Sequence, residues 1–304
     1  MCRPASLRRA IVPLLTLVSL LSASPLMAWG DKGHTIINDA ATVGLPADMP
    51  YFFLRAFPEL TYLGPEPDRI KNAGDSQDAV NLPDHQIDLE ETYGLVLPRS
   101  RYAFMDAMAK ADLYRKHGLT HDHPGFLPWR IAELSQYLQK LFAMWRTADP
   151  SDRRAIEREA ITVAGLLGHY VADASQPLHT TIHYNGWLAA NPNGYVNDCE
   201  IHSRFETAFV SHAITRDDVL PRVAAPVATT DYFATGLALI KESNSLVERT
   251  YAIDRDGGFD VLRPVKPEAK EFVVARLAKG ASVLRDLWWS AWKNSAQQPQ
   301  RRRR

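Results

Sequence analysis

Gly168-His169-Tyr170-Val171-Ala172-Asp173-Ala174-Ser175-Gln176-Pro177-Leu178-His179 is the stretch from which the rest of the chain can be read. Side chains four apart on a helix stand on one face, so a helix through this stretch sets His169 and Asp173 side by side as a pair of metal-ligand types. Pro177 cannot continue that helix, and beyond it His179 is able to point at a second ion. The helix has a start signal at Pro150-Ser151-Asp152 and is predicted from about Arg153 to about Ala174.

Working outward, the other periodic segments are helical too. Ile131, Leu134, Leu138, Leu141, Phe142 and Trp145 have the spacing of one buried helix face between Trp129 and Trp145. Further helices are predicted from His34 to about Val43, Arg101 to about Arg115, Ile201 to about Ala213, Thr230 to about Arg249 and Pro267 to about Trp292. Sustained period-two alternation bounded by turn signals is hard to find. Loops are predicted over 60–100 and 180–200, with Gly64-Pro65-Glu66-Pro67 and Asn191-Pro192-Asn193-Gly194 as turn clusters. No repeat, low-complexity stretch or linker divides the chain. The expectation is an all-α fold, a single compact multi-helix domain.

Residues 1–28 read as a signal peptide: Arg3, Arg8 and Arg9 precede an apolar run from Ile11 to Leu21, and Leu26-Met27-Ala28 serves as a cleavage site. An uncleaved membrane anchor is the competing reading. Export leaves a domain over 29–304, secreted or periplasmic, whose first residue is Trp29. A free α-amine titrates near pH ~8, so the new terminus can lose its proton and bind a metal, five residues before His34. The 46% hydrophobic content supports a full core, and the zero net charge argues against broad electrostatic capture of duplex nucleic acid. The tail Arg301 to Arg304 reads as a solvated end. Cys2 and Cys199 are the only cysteines; with Cys2 removed no intramolecular disulfide is expected, and Cys199 reads as a buried thiol.

His202 and Glu206, four apart on a predicted helix, repeat the pairing of His169 and Asp173. His85 lies in Pro83-Asp84-His85-Gln86-Ile87-Asp88, and Asp68 in Pro67-Asp68-Arg69-Ile70-Lys71. Taken singly, a helical His is more often a hydrogen-bonded residue than a ligand, and an Asp after proline is more often a turn or cap residue. The joint pattern points to metal: His-x₃-Asp, His-x₃-Glu, a His just past a proline and a His just inside the mature end.

In these residues the chain resembles the zinc-dependent phospholipase C and single-strand-specific nuclease superfamily, and in particular its S-one/P-one type nuclease branch. The likeness covers the ligand positions from Trp29 to Glu206; beyond about residue 215 only helical character agrees. It implies an all-α fold and three zinc ions. Trp29 and His34 would hold one, with Asp173 bridging it to a second on His169, His85 and Asp68, and His179, His202 and Glu206 would hold the third. Asp84 competes with Asp68 for its place. The implied activity is hydrolysis of phosphodiester bonds, with zinc activating water and a basic side chain neutralising charge on the phosphoryl group. The nuclease branch places an arginine three residues after the first aspartate; here that residue is Lys71, with Arg69 beside it, so Asp68, Arg69 and Lys71 form the implied catalytic set.

Two spacings, Trp29 to His34 and His179 to His202, match the nucleases, and Asp88 coincides with the nuclease residue that hydrogen-bonds a base edge. Single-stranded nucleic acid or a nucleotide is therefore the expected substrate. Two residues dissent: Glu206 is aspartate in typical nucleases and glutamate in the phospholipases, and Gln86, which stands where the nucleases stack a base on an aromatic, weakens the nuclease reading without adding to the alternative, a phospholipase C acting on membrane phospholipid. Tyr93, Trp187 or Tyr195 could supply a stacking platform, or could simply pack. His121 and His123 beside Pro124 could bind metal, although a solvated turn is the simpler reading, and His183 could line the cleft. No protein partner is implied.

Overall fold

The computed structural model describes residues 29–297, so the signal peptide expected over 1–28 and the arginine tail lie outside the described residues. Five long helices carry the architecture: α1 (Gly30–Thr42), α2 (Leu127–Trp145), α3 (Pro150–Ser175), α4 (Tyr232–Asn244) and α5 (Pro267–Ser295). Among the described residues there is no strand, and no helix is long and apolar enough to cross a membrane. The all-α expectation is met.

The centre of the molecule is α3. It packs against α1, α2, α4, α5 and the short helix Phe57–Leu63, and its stretch from Leu167 to Ser175 is wholly buried. A proline opens α3 and α5, where a missing N–H leaves no hydrogen bond unmade. On α2 the predicted face is inside: Ile131, Leu134, Leu138, Leu141 and Phe142 are buried, and Trp145 is half-buried. Each such side chain contributes about 1.5–3 kcal/mol when fully buried.

Two predicted helices are broken. Arg101 to Arg115 divides into Arg101–Lys110 and Leu113–His117, because Asp112 between them adopts a left-handed conformation (φ 60°). Thr230 to Arg249 becomes α4, capped by the Asp231 carboxylate accepting from Ala234 N–H at 3.0 Å, followed after a turn by Val247–Arg255. The predicted loop over 60–100 is also corrected. It holds the helices Phe57–Leu63, Glu66–Arg69 and Asp75–Asn81 and two 3₁₀ turns, Leu82–His85 and Leu89–Thr92. Their prolines sit in first turns, where proline starts a helix as readily as it ends one. The 180–200 segment is a loop as predicted, after a 3₁₀ turn at Pro177–Thr180.

Close approach to α3 places the site. Gly168 leaves room for Asn38 of α1: a β-carbon there would stand 1.9 Å from Asn38 Oδ1. The Asn38 amide nitrogen in turn donates to Leu60 O at 2.8 Å and Gly165 O at 3.1 Å. Asn38 thereby fastens α1, α3 and the Phe57–Leu63 helix one turn from His34 and His169.

Candidate metal centre

Five histidines meet below the mouth of one cavity, and four are oriented by the main chain. The Nδ1 atoms of His85, His169, His179 and His202 lie 2.7, 2.9, 2.8 and 2.9 Å from the carbonyl oxygens of Asn81, Gly64, His85 and Tyr184. A carbonyl only accepts, so each Nδ1 carries the hydrogen and each neutral ring keeps its lone pair on Nε2. The Nε2 atoms of His85, His169 and His179 are buried without a hydrogen-bond partner, as are both ring nitrogens of His34, both oxygens of Asp173, Oδ2 of Asp68 and Oε1 of Glu206. Native interiors rarely leave such atoms unsatisfied, and a concentration of them asks for an ion.

The separations support that answer. Two ligands held at zinc distances in a tetrahedron stand about 3.3–3.5 Å apart, longer than a good hydrogen bond. His169 Nε2 lies 3.3 Å from Asp173 Oδ2, and His34 Nε2 lies 3.5 Å from Asp173 Oδ1. His85 and His169 stand 3.5 and 3.7 Å from Asp68 Oδ1, and His179 stands 3.6 Å from Glu206 Oε2. Only His202 to Glu206, at 3.0 Å, has hydrogen-bond length. Three groups could each hold an ion: His34, His169 and Asp173; Asp68, His85 and His169; and His179, His202 and Glu206. Asp173 offers one oxygen toward His34 and the other toward His169, which is the arrangement of a bridging carboxylate. Mixed imidazole and carboxylate donors fit zinc.

Ionisation states agree with this donor set. Burial, aided by the charge of His169, pushes His34 down to about 3, and burial with Lys71 pushes His85 to about 4, so both are neutral. Burial alone would raise Asp68 and Asp173, but the surrounding histidines, with Lys71 at Asp68, outweigh it and hold both carboxyls well below the usual range. His179 runs the other way: burial opposes its charge, yet Asp173 and Glu206 raise it to about 9.

Glu206 lies within a six-residue π-helical segment, Arg204–Phe209, which sequence periodicity did not reveal. Such turns are rare and recur at functional sites. Its Oε2 accepts from the Gln176 amide at 2.8 Å and from the Trp29 N–H at 3.0 Å. Gln176 is a positioning residue that no motif flagged; its own oxygen is held by the Leu178 N–H. The Trp29 ring is fully buried and donates through Nε1 to Ala172 O at 2.8 Å. Its nitrogen thus meets Glu206, at the His179–His202 side of the centre, rather than His34 and Asp173.

A cavity of about 320 Å³ opens over the centre, lined by His85, His179 and His202 together with Lys71, Gln86, Leu82, Tyr184 and His123. Lys71 Nζ is 2.5 Å from Asp68 Oδ1. Arg69 does not reach the cavity: it donates to Tyr62 O at 3.0 Å and pairs with Glu66 at 3.3 Å. Asp84, the competitor of Asp68, is occupied by Arg101 at 2.8 Å and Arg130 at 3.4 Å. Asp88 is only 5% exposed and does not line the cavity. Of the aromatic candidates, Tyr93 stacks on His117, Trp187 on His183, and Tyr195 packs against Trp187 and Tyr251; none lines the cavity. His183 also accepts from Leu188 N–H at 3.0 Å, as a loop residue. His121 packs on Tyr114. The expected burial of Cys199 is corrected: the residue is half-buried and adopts a left-handed conformation (φ 62°), and Cys2 lies outside the described residues.

No protein-family model and no curated protein matches the chain. Among solved structures, the alpha toxin of Clostridium absonum is similar over 90% of this chain and 67% of its own length, at 10% identity and a TM-score of 0.47. The alpha toxin of Clostridium perfringens from avian strain SWCP is similar over 88% and 64%, at 13% identity and a TM-score of 0.42. The chain thus spans about two thirds of the length of these toxins.

Proposed function

We propose that the chain is a zinc-dependent phosphodiester hydrolase. The observation that carries the reading is the set of buried, partnerless imidazole and carboxylate atoms of His34, Asp68, His85, His169, Asp173, His179 and Glu206, spaced as ligands of shared ions. The side chains would hold three ions as the resemblance implies, and Trp29, whose nitrogen stands against Glu206 here, would join His34 only as the amine that cleavage releases. When bound, zinc supplies Lewis acidity to a phosphoryl group and brings the pKa of water toward ~7. The chain's own residues do the rest. Main-chain carbonyls aim each imidazole, Gln176 steadies Glu206, and Lys71 at the cavity wall brings an ammonium to a phosphoryl oxygen. Lysine supplies charge there without the two-pronged geometry of arginine. Arg69, bonded elsewhere, takes no part.

On the same reading the protein is exported and cleaved before Trp29. An amide nitrogen cannot serve as a ligand of this kind, whereas the amine released by cleavage can.

For the substrate, the cavity favours a phospholipid-type diester. Gln86 faces it where a base would need an aromatic, the other candidate platforms are packed elsewhere, and Leu82, 47% exposed, gives the mouth an apolar edge. Single-stranded nucleic acid is the second reading, favoured by the five-residue step from Trp29 to His34 and by Tyr184 in the cavity wall. Zinc-loaded protein beginning at Trp29 should be given phosphatidylcholine and single-stranded DNA side by side. Release of phosphocholine with intact DNA is the expected result; release of 5′-nucleotides with intact lipid would establish the second reading, and turnover of neither would refute both.

A further inference from the structure

His123 belongs to no ligand group of the centre, yet its ring lines the same cavity as His85, His179, His202 and Lys71. Its Nδ1 lies 2.6 Å from Glu91 Oε2, while Nε2 has no protein partner among the described residues. Backbone bonds fix the pair from both sides. Glu91 N–H donates to Asp88 O at 2.9 Å, Asp88 N–H to Pro124 O at 2.7 Å, and Ile87 N–H to His179 O at 3.0 Å. The turn carrying Glu91, the turn carrying His123 and the ligand His179 are therefore one rigid piece. Asp88 is buried beside the pair, where burial and the charges of Glu91 and Glu90 push its carboxyl up to about 7.

Asp88, Glu91 and His123 could be taken for a fourth metal site, since their ligand atoms lie within 4.8 Å of one another. The spacing argues otherwise. At 2.6 Å, the Glu91–His123 contact is a charge-assisted hydrogen bond and is too short to be the edge of a coordination tetrahedron. A carboxylate that holds one ring nitrogen while the other faces a reaction cavity is the geometry of an oriented acid–base imidazole. The Glu91 hydrogen bond raises the pKa of His123, with burial opposing and Asp88 and Asp122 adding to the rise.

We propose that His123, oriented by Glu91, is the general acid that protonates the leaving group of the diester; this rests on the phosphodiesterase reading above. The bond from phosphorus to the leaving oxygen breaks with its electron pair on that oxygen, which takes the proton from His123 Nε2. A water oxygen forms the new bond to phosphorus and gives a proton to solvent, and solvent reprotonates the imidazole. His123 is the catalytic residue of this step and Glu91 a positioning residue.

The test compares leaving groups that do and do not need a proton. Phosphatidylcholine expels an alkoxide, and p-nitrophenylphosphocholine expels a stabilised phenolate; for a nuclease the pair is a thymidine dinucleotide and thymidine 5′-(p-nitrophenyl phosphate). His123→Gln should lower turnover of the alkyl substrate by about 10²–10⁴-fold and that of the nitrophenyl substrate by less than about tenfold. Glu91→Gln should show the same pattern to a smaller degree. Zinc content and melting temperature of both variants should match the parent, which separates the role from folding and from metal binding. Equal losses on both leaving groups, no loss on either, or one fewer zinc in His123→Gln would each overturn the proposal. If the parent protein turned over neither substrate, the phosphodiesterase reading itself would fail, and the acid role with it.

Discussion

Asp173→Asn is the sharpest perturbation of the proposed centre, because it keeps the shape of the side chain and removes only the charge. Asp173 faces His34 at 3.5 Å through one oxygen and His169 at 3.3 Å through the other. If it bridges two ions, the amide should cost both and leave the ion on His179, His202 and Glu206, so zinc content falls from three per chain to one. Each lost ion forfeits about 2.7 kcal/mol of stabilisation when free zinc stands at a hundred times its dissociation constant. Two ions come to about 5 kcal/mol, which for a chain of this size is a fall in melting temperature on the order of 10–20 °C at 2–4 °C per kcal/mol. The decisive comparison is made in chelator. Without ions the parent retains a fully buried carboxylate that lacks a hydrogen-bond donor. The surrounding histidines still favour that charge, so part of the gap between parent and variant remains in chelator, but the share supplied by the two ions is gone and the gap should narrow by about 5 kcal/mol. Elemental analysis counts the ions and calorimetry reads the gap. A gap that persists undiminished in chelator would refute the reasoning, since Asp173 would then be an ion-pair partner of the histidines rather than a ligand.

Two further outcomes follow from the same geometry. Gly168→Ala drives a methyl group into Asn38 and breaks its bonds to Leu60 and Gly165; with overpacking at about 1–3 kcal/mol and unmet buried polar groups at a similar cost, the loss should be about 3–5 kcal/mol by denaturant titration, and a variant as stable as the parent would refute the close approach. His179, raised to about 9 from 6.5, stabilises the metal-free fold fully below pH 6.5, and that contribution is lost as pH rises through about 9. An ion at His179, His202 and Glu206 must displace this proton, so zinc affinity there should climb with pH toward about 9 and binding at neutral pH should release a proton; calorimetry in two buffers of different ionisation enthalpy checks this, and binding without proton release would refute it.

The elements legible in the sequence were those whose signal is periodic. α2 and α3 bury the faces their spacing gives, and the His-x₃-Asp and His-x₃-Glu pairs fall on helical turns. The 60–100 segment departs from the loop its Gly64-Pro65-Glu66-Pro67 turn cluster suggests, because Pro67 and Pro83 sit in the first turns of short helices, where proline starts a helix. What could not be read is what aims the ligands. His85 is oriented by Asn81, four residues away, but His169 needs Gly64 and His179 needs His85, and such long-range carbonyl bonds leave no trace in local composition. The same holds for His123, whose significance rests on Glu91 thirty-two residues earlier. A solvated turn was the sound reading of His123 alone; it acquires chemistry only when the turn at 88–91 closes on it. Ligand identity is therefore a property of sequence spacing, whereas the direction of each lone pair is a property of the assembled fold. The short helices of the 60–100 segment, which bury little core of their own, supply Asp68, His85 and the carbonyls that orient two further histidines of the proposed centre. If this is right, loosening that segment should reduce zinc affinity more than it reduces stability.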